Sequence, residues 1–210
     1  MSTHYDRLET RHPAQREKAL MAAMVEHVQH AKNVSPYYAE TLSGIDAPTI
    51  DSRAALAALP VTRKSDLAAG QQAAPPFGGL ARPEGLARLF VSPGPIFEPE
   101  GIEADDFRFA RALFATGLAR GDVLLNCFAY HFTPAGRMLE GGAHALGVSV
   151  IPAGPGNSEQ QVLAASHYRA RAYSGTPEFL KTILEKADEL GRDLSHLVLG
   201  HVSGGAVTPS

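Results

Sequence analysis

The chain has 210 residues, 44% hydrophobic and 20% charged, an ordinary globular balance with enough apolar material for one large domain or two small ones. A formal net charge of -3 argues against a nucleic-acid partner, which calls for a basic face, and the single cysteine, Cys127, excludes an intrachain disulfide framework and a cysteine-based zinc site. No apolar run reaches the roughly 18 residues of a membrane span, and the polar residues 1–13 lack the apolar core of a signal peptide, so a cytoplasmic protein with no membrane partner is expected.

The first predicted element is a helix over residues 14–32, where Leu20, Met21, Met24, Val25 and Val28 recur at helical spacing and Arg16, Lys18 and Glu26 can face water. Pro13 suits its first turn, and Ser35-Pro36 ends it. Short helical pieces are expected to start at Asp51 and Thr62, both good capping residues. Residues 73–85, rich in Pro and Gly, read as a surface loop. A division is expected there, with an N-terminal helical and irregular segment over 1–85 and an α/β subdomain over 86–210.

From residue 86 onward short apolar runs alternate with helical ones. Strands are predicted at 86–92, 123–128, 148–152, 170–174 and 197–203. Helices are predicted at 104–118, 134–146, 157–167 and 177–190. Thr133, Asn157 and Thr176 are the expected caps, and Gln160 completes a capping box with Asn157. This alternation predicts an α/β fold, a mostly parallel sheet with helices on both faces. Ligands bind such sheets at the carboxyl ends of the strands. That rule singles out residues 92–101, 129–136, 153–157, 175–177 and 203–208, all rich in Gly, Pro or hydroxyl side chains and expected to form one rim.

Each candidate has two readings. Residues 90–101 follow a strand and precede a predicted helix, so their backbone N–H groups can cradle an anion. They can equally be a rigid connection, since Pro93, Pro95 and Pro99 offer no N–H and Glu98 and Glu100 repel phosphate. Tyr130, His131 and Phe132 at a strand end can line an acyl pocket, or Phe132 can pack as a helix staple with His131 solvated. Gly204 and Gly205 after the last strand let a flat ring approach closely, or simply make a tight turn. Lys64 and Arg63 read as a solvated face. No histidine has a trusted metal-ligand spacing, and no Ser-His-Asp signature is present.

The order of several pieces carries a resemblance. Tyr5-Asp6-Arg7-Leu8-Glu9, His30-Ala31-Lys32, Ser35-Pro36-Tyr37-Tyr38 and the run from Leu59-Pro60-Val61-Thr62 to Asp66-Leu67 resemble the N-terminal signature of phenylacetate–CoA ligase-like enzymes. Tyr130 to Phe132, Ile151-Pro152, Gly156-Asn157 with Gln160 and Gln161, and Gly175-Thr176-Pro177 continue it, so that it covers nearly the whole chain. That family belongs to the adenylate-forming superfamily. The resemblance implies an ATP- and magnesium-dependent acid–CoA ligase. A carboxylic acid, aryl or arylacetic, is adenylated and then passed to coenzyme A as a thioester.

The resemblance further implies an acyl pocket bordered by Tyr130, His131 and Phe132, a phosphate loop at Ser92 and Gly94, and an adenine edge at Gly204, Gly205 and Ala206. Two departures stand out. The family's loop runs Ser/Thr-Ser-Gly-Thr-Thr-Gly-x-Pro-Lys; here Pro95 and Ile96 replace the threonines, Phe97 a glycine, and Glu100 the lysine. The family's later segments, among them its C-terminal lysine, would also lie beyond Ser210. The expectation is therefore an N-terminal portion without activity of its own, no residue being assigned as catalytic or metal-binding. The alternative is a non-catalytic small-molecule-binding or dimerisation module, and a homodimer is expected in either case.

Overall fold

The computed structural model describes residues 3–207, so Thr208, at the end of the expected rim, lies outside the described residues. Packing divides the chain into two units, Met1–Gly101 and Ile102–Ser210. The division expected after residue 85 falls within the first.

In the first unit, helix α1 spans Pro13–Val34 with Pro13 in its first turn, as its sequence position suits. Ser35 ends it and starts α2, Pro36–Thr41: its backbone N–H donates to Ala31 O, and its hydroxyl accepts from Tyr38 N at 3.3 Å. Of the expected α1 stripe only Val28 is fully buried, packed with Leu42, Ala47 and Ile50; Leu20 stays 44% exposed. A 3-10 turn at Ala47–Thr49 leads to α3, Arg53–Ala57, and α4, Lys64–Ala73. Two expected caps are corrected. Ser52, not Asp51, accepts from Ala55 N at 3.2 Å. Arg63 occupies the cap position of α4 without a side-chain bond, which leaves Thr62 outside the helix.

Strand β1, Leu86–Ser92, pairs antiparallel with β2, Ile96–Gly101, and Ser92 faces Ile96 across the turn Pro93-Gly94-Pro95. Residues 92–101 are thus a hairpin, which corrects the reading of a loop between strand and helix. Phe90, Ile96 and Glu100 are buried, a strand-like burial that the flanking prolines disguise. In a two-stranded ribbon each strand keeps a free edge, so Pro99 fits without an N–H. The Gln71 amide clamps β2: its Nε2 donates to Phe97 O at 2.8 Å and its Oε1 accepts from Phe97 N at 2.9 Å.

The second unit is the expected α/β layer. Helix α5 covers only Ala110–Thr116, not 104–118. Asp105 is the reason: its carboxylate accepts from Phe109 N at 2.7 Å and Ala110 N at 2.9 Å, capping a later start. Then follow β3 (Val123–Asn126), α6 (Ala135–Leu146), β4 (Ser149–Pro152), α7 (Ser158–His167), β5 (Ala172–Gly175), α8 (Pro177–Glu189) and β6 (Leu199–Val202). The four strands run parallel in the order β4-β3-β5-β6. Leu124 and Ala172 face α5 and α6 together with Leu113, Leu139 and Ala143. Leu125 and Tyr173 face α7 and α8 together with Val162, Ala165 and Ile183. Burial on both faces explains why these strands read as continuous apolar runs.

Thr176 caps α8 as expected, accepting from Phe179 N at 3.2 Å. The other two caps are corrected. Asn157 stands before α7 with φ 52° and makes no side-chain cap bond, so the capping box with Gln160 does not form; instead Gln161 Nε2 donates to Gly154 O at 2.6 Å. Pro134 occupies the cap of α6, because Thr133 is drawn into a turn by its N–H bond to His131 O at 2.8 Å.

Candidate functional site

Helix α6, which follows β3, packs on one face of the sheet, and α8, which follows neighbouring β5, packs on the other. The connections therefore diverge between β3 and β5, and the crevice at their carboxyl ends is where such folds bind ligands. The register places Asn126 beside Ser174 and Ser174 beside His201. These are the next same-face residues beyond Leu124, Ala172 and Leu199. A polar row thus closes the apolar layer under α5 and α6.

Asn126 is fully buried and satisfied. Its Nδ2 donates to Tyr130 Oη and to Gly136 O, both at 2.8 Å. Ser174 is fully buried too, yet its hydroxyl has no partner, and neither has the buried Nδ1 of His201. A cleft of about 350 Å³ opens in front of His201. Phe109, Phe128, Met138 and Leu139 form its apolar walls, and Ala135, Val202 and the exposed Ser203 complete its lining. The imidazole lies edge-to-face on Phe109, ring centroids 6.3 Å apart. Burial holds it below its ordinary pKa, so the neutral ring is favoured.

The sequence candidates fall in three places. Residues 129–134 connect the lining residues Phe128 and Ala135, but Tyr130, His131 and Phe132 are not among the residues that line the cleft. Tyr130 is half-buried and tied to Asn126; burial, with the Glu140 carboxylate adding to it, pushes its phenol above the ordinary range. Its ring lies so close to α6 that a Cβ on Gly136 would sit 2.7 Å from Tyr130 Cδ2. His131 and Phe132 are exposed and stack edge-to-face on one another at 5.0 Å. Gly204, Gly205 and Ala206 form an exposed turn beyond β6, and a Cβ on Gly205 would run into the Glu178 carboxylate.

Ser92 and Gly94 belong to the hairpin of the first unit, so the expected rim is not one sheet edge. The Ser92 hydroxyl donates to the Glu98 carboxylate, and Arg88 pairs with Glu100 at 3.0 Å, leaving Glu100 Oε2 buried without a partner. Two carboxylates and three prolines around a hydroxyl already in use do not fit a phosphate. Among the described residues no group of three or more His, Cys, Asp or Glu side chains could hold a metal ion. No helix among them is long and apolar enough to cross a membrane. Cys127 is buried, which pushes its thiol up to about 12 and removes it as a nucleophile.

The strongest wall residues, Phe109, Met138 and His201, were not singled out in the sequence. A period of two over Leu199, His201 and Ser203 was the available signal for His201.

No family model matches the chain. It is 32% identical over 202 residues to a phenylacetate-coenzyme A ligase of Thermus thermophilus, covering 91% of this chain and 43% of that protein. A phenylacetate-coenzyme A ligase of Aromatoleum evansii is 28% identical, covering 79% and 39%. The fold matches 2-hydroxyisobutyryl-CoA ligase in the postadenylation state in complex with R3-HIB-AMP, with a TM-score of 0.82 and 23% identity over 91% of this chain and 44% of that one. The same ligase with 2-HIB-AMP and CoA in the thioesterification state matches with a TM-score of 0.80 and 24% identity, over 89% of this chain and 42% of that one. The chain spans about two-fifths of the length of these proteins. Over most of its length the chain is thus similar to phenylacetate-coenzyme A ligases in sequence and to 2-hydroxyisobutyryl-CoA ligase in fold.

Proposed function

We propose that the chain is the acid-recognising portion of an ATP-dependent acid–CoA ligase that adenylates a carboxylic acid and transfers it to CoA. The observation that carries this reading is the cleft at Phe109, Met138 and His201, opening at the carboxyl edge of the sheet where the connections diverge. Its apolar walls desolvate an acyl group, and the carboxylate points outward past Ser203. Tyr130 buttresses the start of α6, His131 and Phe132 border the cleft mouth, and Gly204, Gly205 and Ala206 form the adenine edge. An aryl or arylacetic acid suits the aromatic walls. ATP and CoA as co-substrates imply a cytoplasmic setting.

Ser92 and Gly94 keep the positions of the family's phosphate loop, but no phosphate step is assigned to this hairpin, and magnesium is assigned to no residue. The isolated chain is accordingly expected to form no adenylate. Acid-dependent ATP–pyrophosphate exchange tests the reading: exchange is expected with the native gene product and not with the isolated chain. Exchange by the isolated chain would overturn the second half of that statement.

The closed hairpin, with Ser92 bonded to Glu98 and Arg88 to Glu100, favours a second reading, an acid-binding module that has lost adenylation. It predicts acid binding without exchange in the native product. Self-association is a separate proposal, supported by Leu89 and Phe97, exposed on the hairpin at 68% and 41%. A concentration-independent monomer in light scattering would count against it.

A further inference from the structure

The walls of the cleft differ in how firmly they are held. Leu139 is buried in the core cluster under α5 and α6, and Phe109 is braced edge-to-face against the His201 ring. Val202 is fixed by strand pairing, where it stands beside Gly175. Met138 is only half-buried, and its side chain is unbranched, with three rotatable bonds and a soft thioether. Ala135, three residues earlier on α6, lines the cleft as well. A methionine in a helix leans back toward the N-terminus, over the residue three positions before it, and a methyl group there leaves it room to move. The cleft is also roomy: it measures about 350 Å³, whereas a cavity of about 150 Å³ already holds benzene. No Lys, Arg, Asp or Glu lines it, so added tail surface meets apolar groups and no buried charge.

We infer that Met138 is the specificity-determining residue of this cleft, an adjustable wall that lets it take acids whose uncharged tail is larger than a single ring, such as a fused two-ring system. Around a small tail the thioether extends and fills the remaining space. Around a larger one it folds back over Ala135. Both arrangements are staggered rotamers of an unbranched chain, so the exchange costs little. A branched residue of similar volume lacks this freedom. It would pack well around a small tail and collide with a large one, because extra groups in a filled site force side chains off their rotamers. The other walls cannot take over the task, since flat rings and a core-packed leucine have no alternative shape to offer. The inference rests on the reading of the cleft as an acid site and assigns that site a substrate class.

The test compares phenylacetate with 2-naphthylacetate on the full 210-residue chain. Calorimetry gives the affinities, and the methionine methyl resonances report the wall. The chain has four methionines, and Met138 is the one in the second unit, so Met138→Leu assigns its signal. The expected result is that 2-naphthylacetate binds tighter than phenylacetate or within about 10-fold of it. The two acids should shift the Met138 methyl to different positions and leave Met21 and Met24 of α1 in place. Met138→Leu should hold phenylacetate within about 3-fold and weaken 2-naphthylacetate by about 10-fold or more, the effect of overpacking. Met138→Ala, which removes the wall, should move the ratio of affinities further toward 2-naphthylacetate. A 2-naphthylacetate affinity more than about 10-fold below that of phenylacetate, an unmoved Met138 methyl, or a ratio that neither variant changes would overturn the inference and leave the acid site standing. Failure of both acids to bind would remove the cleft as an acid site, and the inference with it. The two acids on the unmodified chain already decide between these outcomes, so the test does not depend on a variant that folds.

Discussion

The β1–β2 hairpin and the carboxyl edge of the parallel sheet look alike in sequence, both rich in Gly, Pro and hydroxyl residues at strand ends. They differ in how their polar groups are used. In the hairpin the Ser92 hydroxyl bonds to Glu98, Arg88 pairs with Glu100, and the Gln71 amide holds the Phe97 backbone. Glu100 Oε2 alone among these is left unpaired. At the sheet edge Ser174 and His201 keep buried unpaired atoms, and the His201 ring lines an apolar cleft. The segment that resembles a phosphate loop is occupied with itself, and the sheet edge leaves buried hydrogen-bonding capacity unused. A motif's residues indicate a ligand site only when the fold leaves them free to bind.

The contrast can be broken most forcefully at Asn126. Asn126→Ala leaves the Gly136 carbonyl and the Tyr130 hydroxyl without their donor in a buried setting, and should cost about 3 kcal/mol, read as a lowered denaturation midpoint of the second unit. A loss within error of zero would mean that the row does not organise this edge. Gln71→Ala should cost about 2 kcal/mol, because it strips both bonds from the Phe97 backbone. That loss should appear in hydrogen exchange of the hairpin and leave acid binding unchanged. If acid binding weakened equally, the two regions would not be functionally separate.

The third test is pH. Burial lowers the pKa of His201 from its ordinary 6.5. Between the lowered and the ordinary value the unfolded chain binds more protons than the folded one. Stability is therefore full above the ordinary value, and falls as pH drops through it toward the lowered one. Melting curves from about pH 8 to about pH 5 should show this decline, and His201→Phe should remove part of it. An unchanged profile in the variant would show that other groups carry the decline. The smallest effect is expected from Ser174→Ala, within about 0.5 kcal/mol of the parent or slightly stabilising, since it removes a hydroxyl that has no partner. A large loss would mean that the hydroxyl is bonded in solution.

Much of the fold was legible in the residues. Val123 to Asn126 and Ala172 to Gly175 read as buried strands because both faces of each are covered by helices, and Thr176-Pro177 marks the start of α8 because a capping hydroxyl followed by proline suits no other position so well. The α/β class and the parallel sheet follow from that alternation. Other features escaped a local reading because competing bonds lie outside the pattern. Asp105 delays α5, Asn157 adopts a left-handed backbone in place of capping α7, and the prolines of residues 93–99 hide a hairpin.

The candidate site divides in the same way. The neighbourhood of Tyr130, His131 and Phe132 was visible because a loop between a strand and a helix is a local object. The cleft was not, since Phe109 precedes α5, Met138 lies on α6 and His201 lies on β6. These positions are far apart in the chain, and the sheet order together with the layer of α5 and α6 makes them neighbours. Side-chain type and spacing along the chain set which strands and helices form, through backbone preference and periodic burial. Which polar atoms then find partners, and which are left buried without one, depends on strand register and layer packing, and these are properties of the assembled sheet.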